Sequence, residues 1–138
     1  MAEDARREPE LVTEPRLGAV LDELQRHEPL FHRLELGTTR ADFDAQTAPG
    51  FWEVGASGRC YSREFVWAIL EPRYAAGEPD VWETGQFHCQ ELATGTYLLT
   101  YVLRQDERVT RRASIWMRSQ EGWQVVYHQG TVVAEPEP

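Results

Sequence analysis

Residues 81–133 read VWETGQFHCQELATGTYLLTYVLRQDERVTRRASIWMRSQEGWQVVYHQGTVV, and this stretch decides the fold. Four runs in it are rich in β-branched and aromatic residues: Val81 to Leu92, Thr96 to Arg104, Val109 to Arg118 and Trp123 to Val133. Ala93-Thr94-Gly95, Gln105 to Arg108 and Ser119 to Gly122 separate them. Runs of that length joined by short turns predict four consecutive antiparallel strands, a meander. The run from Tyr97 to Leu103 is apolar on both faces, so both faces of the sheet need cover at its centre. Helices can cover one. A second copy of the chain is expected on the other, making a homodimer.

Upstream of Pro79 the period changes from two to that of a helix. Leu17, Val20, Leu21 and Leu24 form one apolar stripe, bounded by Pro15 and Pro29. A second, short helix starts at Thr38 or Thr39, where Thr39 and Asp42 read as a capping box and Phe43 as the buried anchor; Ala48-Pro49-Gly50 stops it. Phe51 to Val54 reads as a short strand closed by the turn Gly55 to Gly58. Ser62 caps a third helix that buries Phe65, Val66, Ile69 and Leu70, and Pro72 ends or kinks it. Helices first and strands after predict an α+β domain, with three N-terminal helices packed on a curved, mainly antiparallel sheet. Residues 1–15 are expected to be a mobile arm, 16–133 one domain, and 134–138 a frayed tail.

Composition narrows the function. The chain has 138 residues, one domain's worth, and a net charge of −9 from 23 acidic and 14 basic residues. That balance argues against nucleic acid and against an anionic membrane surface. No apolar run suits a membrane span, and Met1 to Glu14 lacks the apolar core of a signal peptide. With two cysteines, Cys60 and Cys89, a reducing cytoplasm is the expectation. Every basic residue is Arg, and there is no Asn, so lysine Schiff-base chemistry, a P-loop lysine and an asparagine oxyanion donor are all excluded.

The order of elements and several short strings resemble the nuclear transport factor 2-like superfamily, whose members share a cone-shaped α+β fold. The likeness is to its SnoaL-like and ketosteroid isomerase-like branches and to uncharacterised bacterial domains of unknown function. The strings are Phe51-x-Glu53-x-Gly55-x-Ser57-Gly58-Arg59, Leu98-Leu99-Thr100-Tyr101, Arg112-x-Ser114-x-Trp116-x-Arg118 and Gly122-Trp123-x-Val125-Val126-Tyr127-His128-Gln129-Gly130-Thr131. The resemblance covers about residues 16–133. It implies a cavity between the concave sheet face and the helices, used by relatives as an isomerase, dehydratase or cyclase site or as a passive pocket. Others dimerise through the opposite face.

Within that frame Glu53 is the leading chemical candidate. A carboxylate in a four-residue strand faces either solvent or a cavity, and in a cavity desolvation raises its pKa toward a general base's range. Ketosteroid isomerase-like relatives place their carboxylate at the position of Gly55, two residues on, which would share a face with Glu53. The competing reading has Glu53 bracing the strand by accepting from Arg59, Ser114 or the last strand. His128 is a candidate proton shuttle or donor, or a brace between strands. Alternation puts Val125, Tyr127, Gln129 and Thr131 on one face and Val126, His128, Gly130 and Val132 on the other, and a bulge could switch them. Tyr101, Ser114, Trp116, Gln129 and Thr131 are expected to line a pocket for a small, partly apolar ligand, with Gln129 able to bond Glu53. Trp116 and Ser114 also fit simple core packing.

Cys60 reads as structural. His88 and Cys89 point to opposite faces, and His27 and His32 flank Pro29, so no metal site is expected and no cofactor is called for. Three functions follow. The first is a small-molecule-binding dimer. The second is a cofactor-independent lyase or isomerase with Glu53 as base and His128 or Tyr101 at the enolate oxygen. The third is a structural or accessory dimer with a collapsed interior.

Overall fold

The apolar stripe from Leu17 to Leu24 folds as expected in the computed structural model, which describes residues 8–77 and 81–134. A 3-10 turn at Pro15–Leu17 leads into α1, Gly18–Gln25, with Leu17 and Leu24 buried. Arg33 closes the far end of α1: its guanidinium donates to the carbonyls of Glu28 at 2.7 Å and Gln25 at 3.3 Å. Thr39 caps α2, Arg40–Gln46, and the capping box is complete, with Asp42 bonded back to the Thr39 amide. Ser62 caps α3, Arg63–Ala76.

Six strands form one sheet: β1 Thr47–Val54, β2 Cys60–Ser62, β3 Glu83–Ala93, β4 Thr96–Gln105, β5 Arg108–Ser119 and β6 Gly122–Val132. The order is β2-β1-β6-β5-β4-β3. β3 to β6 are the expected meander, β1 runs parallel to β6, and the other pairs are antiparallel. The architecture is α+β, with the helices on one face and the core between.

Four details differ from the sequence reading. Ala48-Pro49-Gly50 does not end in a loop but opens β1, four residues before the expected strand. Pro49 and Gly50 are exposed there, so the missing proline donor costs little. β2 was not anticipated, since three residues carry no period. Pro72 lies inside α3, which continues to Ala76 and ends at Gly77 in the left-handed region (φ 66°). Pro72 and the preceding-turn Ala68 are both exposed, so water can serve the carbonyl that loses its donor. Of the four residues assigned to the buried face of α3, Val66 and Leu70 are buried, whereas Phe65 and Ile69 are 50% and 41% exposed.

Bulges shape the sheet and set its faces. The β5–β6 register shifts between Ile115 and Trp116, leaving Val126 as an extra residue in β6. Val125 and His128 therefore both point inward, against strict alternation, and Tyr127, Gln129 and Thr131 point outward. Residues 1–7 of the arm, residues 135–138 of the tail and Pro79 lie outside the described residues. Of the rest of the arm, Thr13 accepts the Cys89 amide at 3.1 Å, on edge strand β3. Among the described residues no helix is long and apolar enough to cross a membrane.

The Thr39 cap is exposed and local, so its contribution is measurable in isolation. Thr39→Ala is expected to lower stability by about 1 kcal/mol in urea denaturation, with an unchanged m-value.

Candidate functional site

The register of the sheet draws one transverse row across its inner face. Leu99 pairs with Ser114, Ser114 with His128, and His128 with Glu53, from β4 through β5 and β6 to β1. A parallel row sets Tyr101 beside Arg112 and Arg112 beside Gly130. Gly130 is needed for that placement, since a Cβ there would stand 2.9 Å from the Arg112 guanidinium. The arginine lies across β6 toward Glu53, and its charge is felt at that carboxylate.

At one end of the row sits a residue that sequence reasoning missed. Glu28 follows α1 in the string His27-Glu28-Pro29, where a charged side chain beside a proline reads as surface. It is wholly buried. One carboxylate oxygen accepts the Leu30 amide at 3.0 Å and the Tyr101 hydroxyl at 2.6 Å. The other accepts the Trp116 indole N–H at 3.0 Å. Burial pushes the Glu28 pKa up, and hydrogen bonding offsets part of that rise. Burial, with the Glu28 charge behind it, also drives the Tyr101 pKa well up, so the phenol stays protonated.

Ser114 ties β5 to β6 at His128. Its Oγ lies 2.7 Å from His128 Nδ1. The His128 ring is 3% exposed, and burial, with Arg112 nearby, lowers its pKa to about 3, so the imidazole is neutral. Glu53 stands on the other side of His128. Its pKa is raised by desolvation, partly offset by Arg112. Among the described residues it forms no hydrogen bond or ion pair; in particular neither Arg59 nor Ser114 braces it.

A cavity of about 310 Å³ opens over this end of the row, between the inner sheet face and α3. Glu53, His128, Arg112 and Arg108 supply its polar wall, with His32 and Arg73 opposite. Leu30, Phe31, Val66 and Leu70 make the apolar side. Ile69 and Tyr61 line it too, and Phe65 stacks on Tyr61 with ring centroids 5.3 Å apart, which explains what the exposed edge of α3 does. Arg112 Nε donates to Thr110 Oγ1 at 2.9 Å. Its terminal nitrogens, and the Arg108 guanidinium, have no side-chain partner among the described residues.

The structure divides the residues singled out from the sequence. It brings together Glu53, His128 and Ser114. Tyr101 and Trp116 share the inner face but are bonded to Glu28, so their polar atoms serve the core. Gln129 and Thr131 lie on the other side of the sheet. There Gln129 accepts the Tyr127 hydroxyl at 2.5 Å and cannot reach Glu53. With Tyr101 and Arg112 they line a second, larger hollow of about 690 Å³ beside Glu8, Pro9 and Leu11 of the arm. The cause is the extra residue at Val126, which sets the parity of the last strand. No group of His, Cys, Asp and Glu that could hold a metal occurs among the described residues.

No family model matches the sequence, and no curated protein does. Solved structures do. An NTF2-like protein from Cytophaga hutchinsonii superposes with a TM-score of 0.64 at 11% identity, over 88% of this chain and 100% of that one. A protein of unknown function from the DUF3225 family of Pectobacterium atrosepticum gives 0.63 at 16%, over 88% and 94%. A cystatin-like fold protein from Burkholderia xenovorans gives 0.65 at 17%, over 89% and 96%. The chain thus has the nuclear transport factor 2-like, or cystatin-like, cone fold that its sequence resembles. At these identities the likeness carries the fold and no activity.

Two stability measurements probe the row. Glu28→Ala would strand the Leu30, Tyr101 and Trp116 donors in a dry interior, and is expected to cost about 3 kcal/mol or more by urea denaturation. Glu53→Gln should behave oppositely. A carboxylate whose folded-state pKa is raised contributes stability below its ordinary value and loses it as pH rises through the raised one. Wild type and Glu53→Gln should therefore match in acid, and the variant should become the more stable as pH rises to neutrality. A bracing carboxylate would show the reverse.

Proposed function

We propose that this chain is a small-molecule-binding domain whose cavity between sheet and α3 takes a small organic carboxylate. One observation carries the reading. Acidic residues outnumber basic ones 23 to 14, yet Arg108 and Arg112 meet at the cavity without a carboxylate partner among the described residues. In so acidic a chain the half-buried Arg112 guanidinium is expensive without a partner unless something else supplies the anion, and the exposed Arg108 adds charge to the same wall. Two guanidinium groups above an apolar wall suit a carboxylate with a hydrocarbon body. The anion is excluded from the rest of the surface by net charge and drawn to this one spot.

Benzoate is a suitable probe. Saturable binding to the wild-type chain, weakened at least about fivefold by Arg108→Gln, is the expected result by calorimetry or NMR titration. Benzamide has the same shape without the charge, and equal binding of benzamide would overturn the reading.

A second reading rests on Glu53. An unbonded carboxylate with a raised pKa in a cavity is what abstraction of a proton beside a carbonyl needs. Such an isomerase or lyase would still need an oxyanion donor, and Tyr101 is already bonded to Glu28. Binding is therefore the better supported of the two. The cavity volume speaks against the third possibility, a purely structural domain with a filled interior.

The proposed partner on the outer sheet face is a second copy of the chain. Leu98, Ile115, Tyr127 and Trp52 are paired in register across β4, β5, β6 and β1, giving an apolar row that continues to Met117. The adjacent row, Thr100, Ala113, Gln129 and Val54, is uncharged. Trp52 is 46% exposed in the isolated chain. Two adjacent uncharged rows on a chain of net charge −9 are among the few surfaces on which two copies can meet without repulsion. Sedimentation at micromolar concentration should show twice the 15.9 kDa chain mass, and Trp52→Glu should shift it to the single-chain mass.

A further inference from the structure

We infer that Glu53 and Arg112 form a split ion pair, two opposite charges held apart in the cavity wall, and that the carboxylate bound there is an apolar α-amino acid whose ammonium group meets Glu53. The inference rests on the carboxylate reading for Arg112 and extends it to a second charge on the ligand.

Both groups are half-buried and both line the cavity. Each feels the charge of the other, yet no hydrogen bond or ion pair joins them. β6 lies between their strands, so the two can meet only if Arg112 reaches right across it. Two contacts hold it back. Arg112 Nε donates to Thr110 Oγ1 at 2.9 Å, and Thr110 is itself buried, two residues away on the same face of β5. The guanidinium then rests on Gly130. A Cβ there would stand 2.9 Å from Cζ and Nη1 and 3.1 Å from Nε, near-equal distances that lay the planar group flat on the glycine. Tethered at Nε and bedded on β6, the charge stops short of β1. Glu53 pairs with His128, so Gly130 and Glu53 are one strand spacing and two residues apart, about 8 Å between backbones.

A half-buried charge without a partner is costly on either side of that gap. A plain carboxylate answers Arg112 and is repelled by Glu53. An amine answers Glu53 and is repelled by Arg112. An α-amino acid carries both charges on groups joined through one carbon, a size that lies between the two and satisfies them together. Arg108 is exposed and keeps its charge in water, so the ligand need not neutralise it. The apolar side of the cavity, from Leu30, Phe31, Val66 and Leu70, suits a hydrocarbon side chain on that amino acid.

The test compares L-phenylalanine with 3-phenylpropanoate, the same carbon frame without the ammonium group, by calorimetry on the full-length chain at neutral pH. Phenylalanine should bind wild type about fivefold tighter or more, and that advantage should vanish in Glu53→Gln. The variant should bind 3-phenylpropanoate at least as well as wild type, which shows that its cavity is intact. If 3-phenylpropanoate binds wild type as tightly as phenylalanine, the inference fails and the carboxylate reading stands. An advantage for phenylalanine that survives in Glu53→Gln would overturn the inference as well. Binding of neither acid overturns it too, and the benzoate titration then decides the carboxylate reading by itself. Urea denaturation of Glu53→Gln is a second check. If Arg112 and Glu53 closed on each other in solution, the variant would lose stability at neutral pH, and the split pair would be refuted.

Discussion

A buried carboxylate holds this molecule together at the point where its two layers meet. Glu28 belongs to the helical half by sequence, and two of its three donors belong to the sheet: Tyr101 to β4 and Trp116 to β5. Desolvating a carboxylate costs several kcal/mol, and only a full set of donors offsets it. The network is therefore intolerant of partial loss. Each partner is itself buried, so removing the carboxylate strands polar atoms in the core. Apolar packing of Leu24, Leu99 and Val125 supplies bulk stability, but it would allow the turn after α1 to slide on the sheet. The directional bonds to Glu28 fix one arrangement.

From that anchor the rest of the inner face follows. Trp116, bonded to Glu28, and Ser114, bonded to His128, lie two residues apart on β5, and the register sets His128 against Glu53. Burial keeps the histidine neutral and raises the Glu53 pKa, while Arg112, admitted by Gly130, keeps positive charge close. A row that is closed and fully bonded at one end becomes open and unbonded at the other. The cavity occurs at the open end, where α3 spans the sheet without filling the space below it. Structure and electrostatics coincide there because the same strands build both.

Much of the fold was legible because it is written in short-range chemistry. The strand boundaries follow from turn residues, the starts of α2 and α3 from Thr39 and Ser62, and the two-sided β4 from an unbroken apolar run. Glu53 and His128 could be singled out, since an acid in a short strand and a histidine in a long one are both conspicuous. The parity of β6 was not legible. A regular hairpin closed at Ser119 and Gly122 would set Ser114 opposite Tyr127, and the extra residue at Val126 brings in His128 instead. Nothing about Val126 as a residue type announces a bulge. Glu28 was invisible for a related reason. Its burial depends on partners at positions 101 and 116, and no local pattern records a contact across so long a loop. Pro72 misled because its cost depends on which side of the helix faces water.

The most direct measurement is a pH titration of the Glu28 side-chain carboxyl carbon by 13C NMR at two salt concentrations. A dry carboxylate bonded to Leu30, Tyr101 and Trp116 should titrate above the ordinary carboxylate range, with a midpoint that does not move with salt. A midpoint at the ordinary value that shifts with ionic strength would mean that the side chain is in water. The link from helix to sheet through Tyr101 and Trp116 would then lose its basis.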